Sequence, residues 1–176
     1  MNIREFRIED YLIVLDLWQT AGLTLRPGDE LEDIKLKLQR DPDLFLVAEQ
    51  NDEIVGSVIG GWDGRRGWIY HLAVKPQHQR KRIGADLVHE VEKRLLAKGA
   101  KKVNAQVYKW NERSSEFFKA IGYETQPDLI MIGKQCPKCR SRRVRRGYRD
   151  TPLLLRMVGI YSLLCDDCNL LFKGFA

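Results

Sequence analysis

The stretch Leu72-Ala73-Val74-Lys75-Pro76-Gln77-His78-Gln79-Arg80-Lys81-Arg82-Ile83-Gly84-Ala85-Asp86-Leu87 decides how the rest of this chain is read. An apolar run ends at Pro76 and a basic turn follows. Ile83, Leu87, Val91 and Leu95 then recur at spacing four, which predicts an amphipathic helix over residues 83–97, ended by Gly99. The first N–H groups of a helix lack intrahelical acceptors, and the helix dipole adds positive charge there. Such a strand–turn–helix makes an anion site. Arg80, Lys81 and Arg82 add cationic side chains, and Gly84 lets the backbone approach a ligand closely. The same residues also read as a basic helix start with no ligand.

Periodicity upstream and downstream predicts a strand at 2–8, helices at 10–21 and 29–40, and a hairpin of 44–49 with 54–61 around Asn51-Asp52. A strand at 68–74 leads into the basic turn. Beyond the long helix come a strand at 102–107, a short helix at 112–120 and a last strand at 123–132. This order implies an α/β fold, a mixed twisted sheet flanked by helices.

Composition changes along the chain. Residues 1–133 hold 20 Lys and Arg against 21 Asp and Glu, whereas residues 134–176 hold 10 against 3. All four cysteines also fall in the second stretch, which places a boundary between a domain at 1–133 and a small module at 134–176. No apolar leader or membrane-length segment is visible, so a soluble, cytoplasmic protein is expected.

Cys136-Pro-Lys-Cys139 and Cys165-Asp-Asp-Cys168 are two Cys-x-x-Cys knuckles separated by 25 residues. Two such pairs supply the four thiolates of a tetrahedral Zn2+ site, and the arrangement resembles a zinc ribbon. Redox dithiols would want a βαβ setting that is absent, and disulfides are disfavoured in a cytosolic chain. Arg140, Arg142, Arg143, Arg145, Arg146 and Arg149 lie between the knuckles with Tyr148. They suit contact with nucleic acid or an acidic protein, or else form a solvated basic strand.

The segment Gln79-Arg80-Lys81-Arg82-Ile83-Gly84 resembles motif A of the GNAT acetyltransferase superfamily, Gln/Arg-x-x-Gly-x-Gly/Ala, with Arg82 in place of the first glycine. The turn Gly61-Trp-Asp-Gly-Arg-Arg-Gly-Trp68 is similar to one in small bacterial acetyltransferases near the ribosomal-protein branch, and Asn111 through Gly122-Tyr123 resembles motif B. The resemblance implies a GNAT fold over 1–133 and acetyl-CoA as co-substrate. Its pantetheine would lie along Leu72, Ala73 and Val74, where the strand splays from 102–107. Its pyrophosphate would lie on Gln79, Arg80, Lys81, Arg82, Ile83, Gly84 and Ala85. Asn111 matches a cofactor-contacting position and is also a natural helix N-cap. Phe118 stands where the family usually carries the tyrosine that protonates the leaving thiolate.

The implied reaction is transfer of acetyl to a primary amine, on a protein or a small molecule. Residues 1–133 contain no cysteine, so direct attack in a ternary complex is expected over an acetyl-cysteine route. Tyr70 and His71 flank the acyl site; strand alternation would send them to opposite faces, and His71 is equally a hydrogen-bonded core histidine. Tyr108, Tyr123 or water would replace the missing acid. The loop at 23–28, with Thr24 and Arg26, is either part of the acceptor pocket or a plain linker. Two rival readings are a non-catalytic acyl-CoA-binding regulator and a nucleic-acid-binding protein that uses the basic module.

Overall fold

In the computed structural model, five strands form one mixed sheet: β1 (Asn2–Glu5), β2 (Phe45–Gln50), β3 (Glu53–Trp62), β4 (Gly67–Val74) and β5 (Val103–Ala105). They lie in that order, antiparallel except for the β4–β5 pair, which is parallel. The structure describes residues 1–26 and 28–130, and the backbone of three further strands at 144–146, 160–165 and 171–175. Among the described residues no helix is long and apolar enough to cross a membrane.

The strands are apolar on both faces because helices cover both. Along β2, Phe45 and Val47 point to one side, Leu46 and Ala48 to the other. Helices α1 (Tyr11–Thr20) and α2 (Leu31–Arg40) cover the first side, with Val14, Leu17, Trp18 and Ile34 in the core. Helices α3 (Ile83–Ala97) and α4 (Glu112–Ala120) cover the second, with Leu87, Val91, Leu95 and Phe118. Asn51 and Asp52, at φ 52° and 59°, close the β2–β3 hairpin in the left-handed geometry that matches strand twist.

Helix α3 packs so closely that side chains are excluded beneath it. A Cβ on Gly60 would sit 2.7 Å from Val91 Cγ1, and one on Gly67 would sit 2.7 Å from Leu95 Cδ1. The long helix is thereby held with its first turn beyond the end of β4.

Strand β4 carries one extra residue. Its register with β3 runs Ser57↔Ala73 and then Ile59↔Tyr70, so two steps on β3 match three on β4. The bulge falls at His71, whose φ is +45°. Tyr70 therefore packs with the α1–α2 cluster, the His71 ring lies 4.6 Å from Trp18 of that same cluster, and Leu72 returns to the α3–α4 side. The expected opposition of Tyr70 and His71 is overturned, because a bulge resets the two-residue alternation. Asp29, expected as the first residue of α2, instead precedes that helix and is buried. The expected last strand is also absent from its described part, as residues 123–130 are coil and turn with Leu129 and Ile130 exposed.

The chain divides into two compact units, Met1–Thr125 and Gln126–Ala176. In the second, β6 (Val144–Arg146), β7 (Ile160–Cys165) and β8 (Leu171–Phe175) form an antiparallel sheet in the order β6-β7-β8. Cys165 ends β7 and pairs with Val144. Cys136, Cys139, Cys168, Arg140, Arg142, Arg143, Tyr148 and Arg149 lie outside the described residues.

The close approach of α3 gives a stability test. Gly60→Ala should cost about 1–3 kcal/mol in urea unfolding through overpacking. Adding Val91→Ala, which removes the clashing methyl, should cost less than the two single losses combined. A second test concerns Asp10, just before α1. Arg4 grips its carboxylate at 2.7 and 3.0 Å, and the Arg7 N–H donates to it at 2.8 Å. Burial pushes the Asp10 carboxyl up, but these partners outweigh it and hold it below the usual carboxylate range. A depressed carboxyl stabilises the fold above its unfolded pKa and loses that contribution as pH falls through its folded pKa. The stability advantage over Asp10→Asn should be present at pH 7 and shrink once the pH drops below about 4.

Candidate active site

The turn ahead of α3 has the geometry of an anion receptor. Pro76–His78 forms a single 3-10 turn, after which Arg80 and Arg82 take left-handed conformations at φ 60° and 67°. Arg82 is the residue flanking α3, and no side chain caps that helix start. The N–H groups of Ile83, Gly84 and Ala85 are thus left to an external acceptor. Arg80, Lys81 and Arg82 are all exposed around them, whereas the Ile83 side chain is buried and anchors the helix. A Cβ on Gly84 would meet only the Phe117 ring at 3.5 Å and Val74 at 3.7 Å, so the floor of the turn is apolar and open to a small addition.

Gln79 braces this turn from below. Its Nε2 donates to the Val74 carbonyl at 2.9 Å, and its Oε1 accepts from Arg113 on α4. Arg113 is a fourth cation at the turn, and Phe117 is the aromatic ring beside Gly84. Neither stood out in the sequence, since only the packing of α4 brings them there. Asn111 accepts from the Ser114 N–H at 3.0 Å and caps α4. Phe118 lies in the core, edge-on to Phe117 and Tyr123. Tyr123 donates its hydroxyl to Glu92 at 2.6 Å, and burial together with that carboxylate pushes its phenol well above the ordinary value.

Beside the turn, β4 and β5 part. Their pairing ends at Ile69↔Ala105, where β5 stops, while β4 continues through Tyr70, His71, Leu72, Ala73 and Val74. The β5-facing edge of that last segment has no strand beside it among the described residues. Ala73 is buried and paired with Ser57, and Leu72 and Val74 pack toward α3 and α4.

On the opposite side of the sheet stands a polar cluster inside an apolar one. His71 Nε2 is 2.9 Å from Asp29 Oδ1. The other oxygen of Asp29 accepts the Arg26 N–H at 2.8 Å. The Arg26 guanidinium lies 5.0 Å over the exposed Tyr108 ring, which stacks on Trp110. The chain of contacts thus joins β4, the loop before α2 and the segment after β5. His71 and Tyr108 are linked through it, whereas Tyr70 packs beside Gly61. Burial raises the Tyr70 phenol above its usual value, so it stays protonated at neutral pH. Asp29 escaped the sequence reading because an acidic residue ahead of a helix looks like an ordinary start signal.

The sequence profile of the acetyltransferase (GNAT) family matches residues 6–123. An acetyltransferase of Pectobacterium atrosepticum is 45% identical over 136 residues, and one of Sodalis glossinidius is 42% identical; each alignment covers 77% of this chain and 95% of the relative. The fold is similar to that of PaiA N-acetyltransferase of Thermoplasma acidophilum, solved with coenzyme A, at a TM-score of 0.64 and 21% identity over 71% of this chain and 90% of that one. The uncapped basic turn, the parted strands and these relatives agree: the chain belongs to the GNAT family of acetyltransferases, enzymes that move an acetyl group from acetyl-CoA to an amine.

Proposed function

We propose that this N-acetyltransferase holds acetyl-CoA with its 79–85 turn and its open β4 edge, and that His71 takes the proton of a primary amine attacking the thioester directly. The reading rests on one coincidence in β4. The strand loses its β5 partner beyond Ile69, leads into an uncapped cationic helix start, and carries a solvent-reaching histidine on its bulge between the two. The N–H groups of Ile83, Gly84 and Ala85, with Arg80, Lys81, Arg82 and Arg113, suit the pyrophosphate. The open β5-facing edge at Leu72 and Val74, where the Val74 carbonyl already accepts from Gln79, suits the amide-bearing arm. When bound, acetyl-CoA supplies the activated acetyl group.

The protein's own contribution is positioning and proton transfer. The amine nitrogen bonds to the acetyl carbon, the carbon–sulfur bond breaks, and the amine proton passes to His71. The coenzyme A thiolate leaves and takes a proton from water. Tyr123 donates its hydroxyl to Glu92, so it is engaged away from that step. A well-placed base contributes roughly 10²–10⁴-fold, with the rest coming from holding amine and thioester together.

We further propose that Cys136, Cys139, Cys165 and Cys168 bind one Zn2+. The supporting observation is the strand register. Cys165 pairs with Val144, the first residue of β6, and Cys139 is only five positions ahead of Val144. Four thiolates are the donor set of a closed structural zinc site, where the metal stabilises a module too small to bury much core.

Three measurements test these readings. Gly84→Glu places a carboxylate among the phosphate-binding N–H groups and should weaken acetyl-CoA binding at least tenfold, by about 1.4 kcal/mol or more, with an unchanged fold. His71→Asn, chosen because asparagine tolerates a left-handed backbone, should retain acetyl-CoA affinity and release coenzyme A roughly 10²-fold more slowly across an amine panel. Wild-type acetyl-CoA affinity in a folded Gly84→Glu protein would refute the turn. For the metal, elemental analysis should find one zinc per chain, lost in a Cys136→Ser, Cys139→Ser protein that still binds acetyl-CoA. Zinc-free wild-type protein would refute the site.

A further inference from the structure

We infer that Asp29 is a positioning residue for the transfer: it fixes the tautomer and plane of the His71 ring so that Nδ1 is the proton acceptor, and it ties the loop before α2 to that base. The inference rests on the reading of His71 as the base.

The geometry is specific. An ionised carboxylate only accepts hydrogen bonds, so the His71 nitrogen facing Asp29 at 2.9 Å, Nε2, carries the hydrogen. In a neutral ring the lone pair then sits on Nδ1. Nδ1 has no partner among the described residues, and the side chain is 28% exposed, so that lone pair opens to solvent. Trp18 holds the ring from another side, tilted 52° at 4.6 Å. Trp18 is itself fixed by its Nε1–H donating to the Ser57 hydroxyl at 2.9 Å, wholly inside the core. Carboxylate and indole together leave the imidazole little freedom to turn over.

Asp29 is unusually committed for a residue outside any helix or strand. Its side chain is 9% exposed, and its two oxygens have separate partners, Oδ1 facing His71 and Oδ2 accepting the Arg26 N–H. Its own N–H donates to the Arg26 carbonyl at 3.0 Å, and its carbonyl accepts the Tyr11 hydroxyl at 3.1 Å. The charged and titratable groups facing it are therefore His71 from β4, Arg26 from the loop and Tyr11 from α1, with Glu30 next to it in sequence. Burial pushes the Asp29 carboxyl up, but His71 and the Arg26 N–H outweigh this and keep it below the usual range. A charged carboxylate at Nε2 stabilises the imidazolium formed when Nδ1 takes a proton. The bonds to Arg26, whose guanidinium lies over Tyr108, join that loop to the same cluster.

Asp29→Asn tests this with little change of shape. The asparagine oxygen can still accept the Arg26 N–H while its amide donates to Nε2, which reverses the tautomer. We expect kcat to fall by about 10²-fold or more and the KM for acetyl-CoA to hold. Nitrogen NMR of the His71 ring should show the proton on Nε2 in the wild type and on Nδ1 in the variant. Wild-type kcat in Asp29→Asn, alongside a slow His71→Asn, would overturn the role of Asp29 and leave the base standing. A fully active His71→Asn would overturn the base reading itself and this inference with it. A rise only in the acceptor's KM, with the tautomer unchanged, would reduce Asp29 to shaping the loop and overturn the inference. If Asp29→Asn fails to fold, the wild-type tautomer decides: Nε2–H upholds the inference, Nδ1–H overturns it.

Discussion

One extra residue in β4 sets the geometry on which the site depends. A regular strand of eight residues would send Tyr70 and His71 to opposite faces, one of them into the layer under α3 and α4. The bulge turns both toward α1 and α2, and it does so with His71 in a left-handed conformation at φ +45°. Histidine visits that region more readily than most residues, yet the conformation costs of order 1–3 kcal/mol unless surrounding contacts over-determine it. Here they do: Trp18 from one side and Asp29 from another. Past the bulge, β4 runs free of β5. The histidine and the open strand edge lie next to each other on β4.

The same strand delivers its charge-binding end through packing on the other face. Glycines under α3 let the helix lie against β3 and β4, so its uncapped start is carried rigidly to the end of β4. Free N–H groups are useful to an anion only if they cannot find another partner, and the turn meets that condition. Its potential capping residue, Gln79, is occupied with Val74 and Arg113. Arg82, where the family pattern has glycine, adopts the left-handed backbone that explains the usual preference for glycine. The arginine adds a charge where the backbone would favour no side chain.

The second unit obeys a different physics. Three short antiparallel strands in a stretch of 51 residues offer little apolar area to bury against conformational entropy. Ten cationic residues against three acidic ones also make residues 134–176 self-repelling unless something compensates.

The sequence by itself determined the elements with strong local causes. Apolar spacing set α1, α3 and the central strands. The Asn51-Asp52 pair set the β2–β3 hairpin, and the passage from strand through a basic turn to the helix at Ile83 was legible from spacing and charge alone. It read a last strand into 123–132 because an apolar run carries no record of whether a partner edge is available, and residues 123–130 are coil. Only the tertiary structure decided the bulge at His71, since an inserted residue is defined by its register with β3 rather than by residue type. It alone brought Asp29 to His71 across 42 positions of sequence, and Arg113 and Phe117 to the turn. Periodicity reports which face of an element is buried; which side chains meet across elements is a matter of packing, and the contact of His71 with Asp29 is such a meeting.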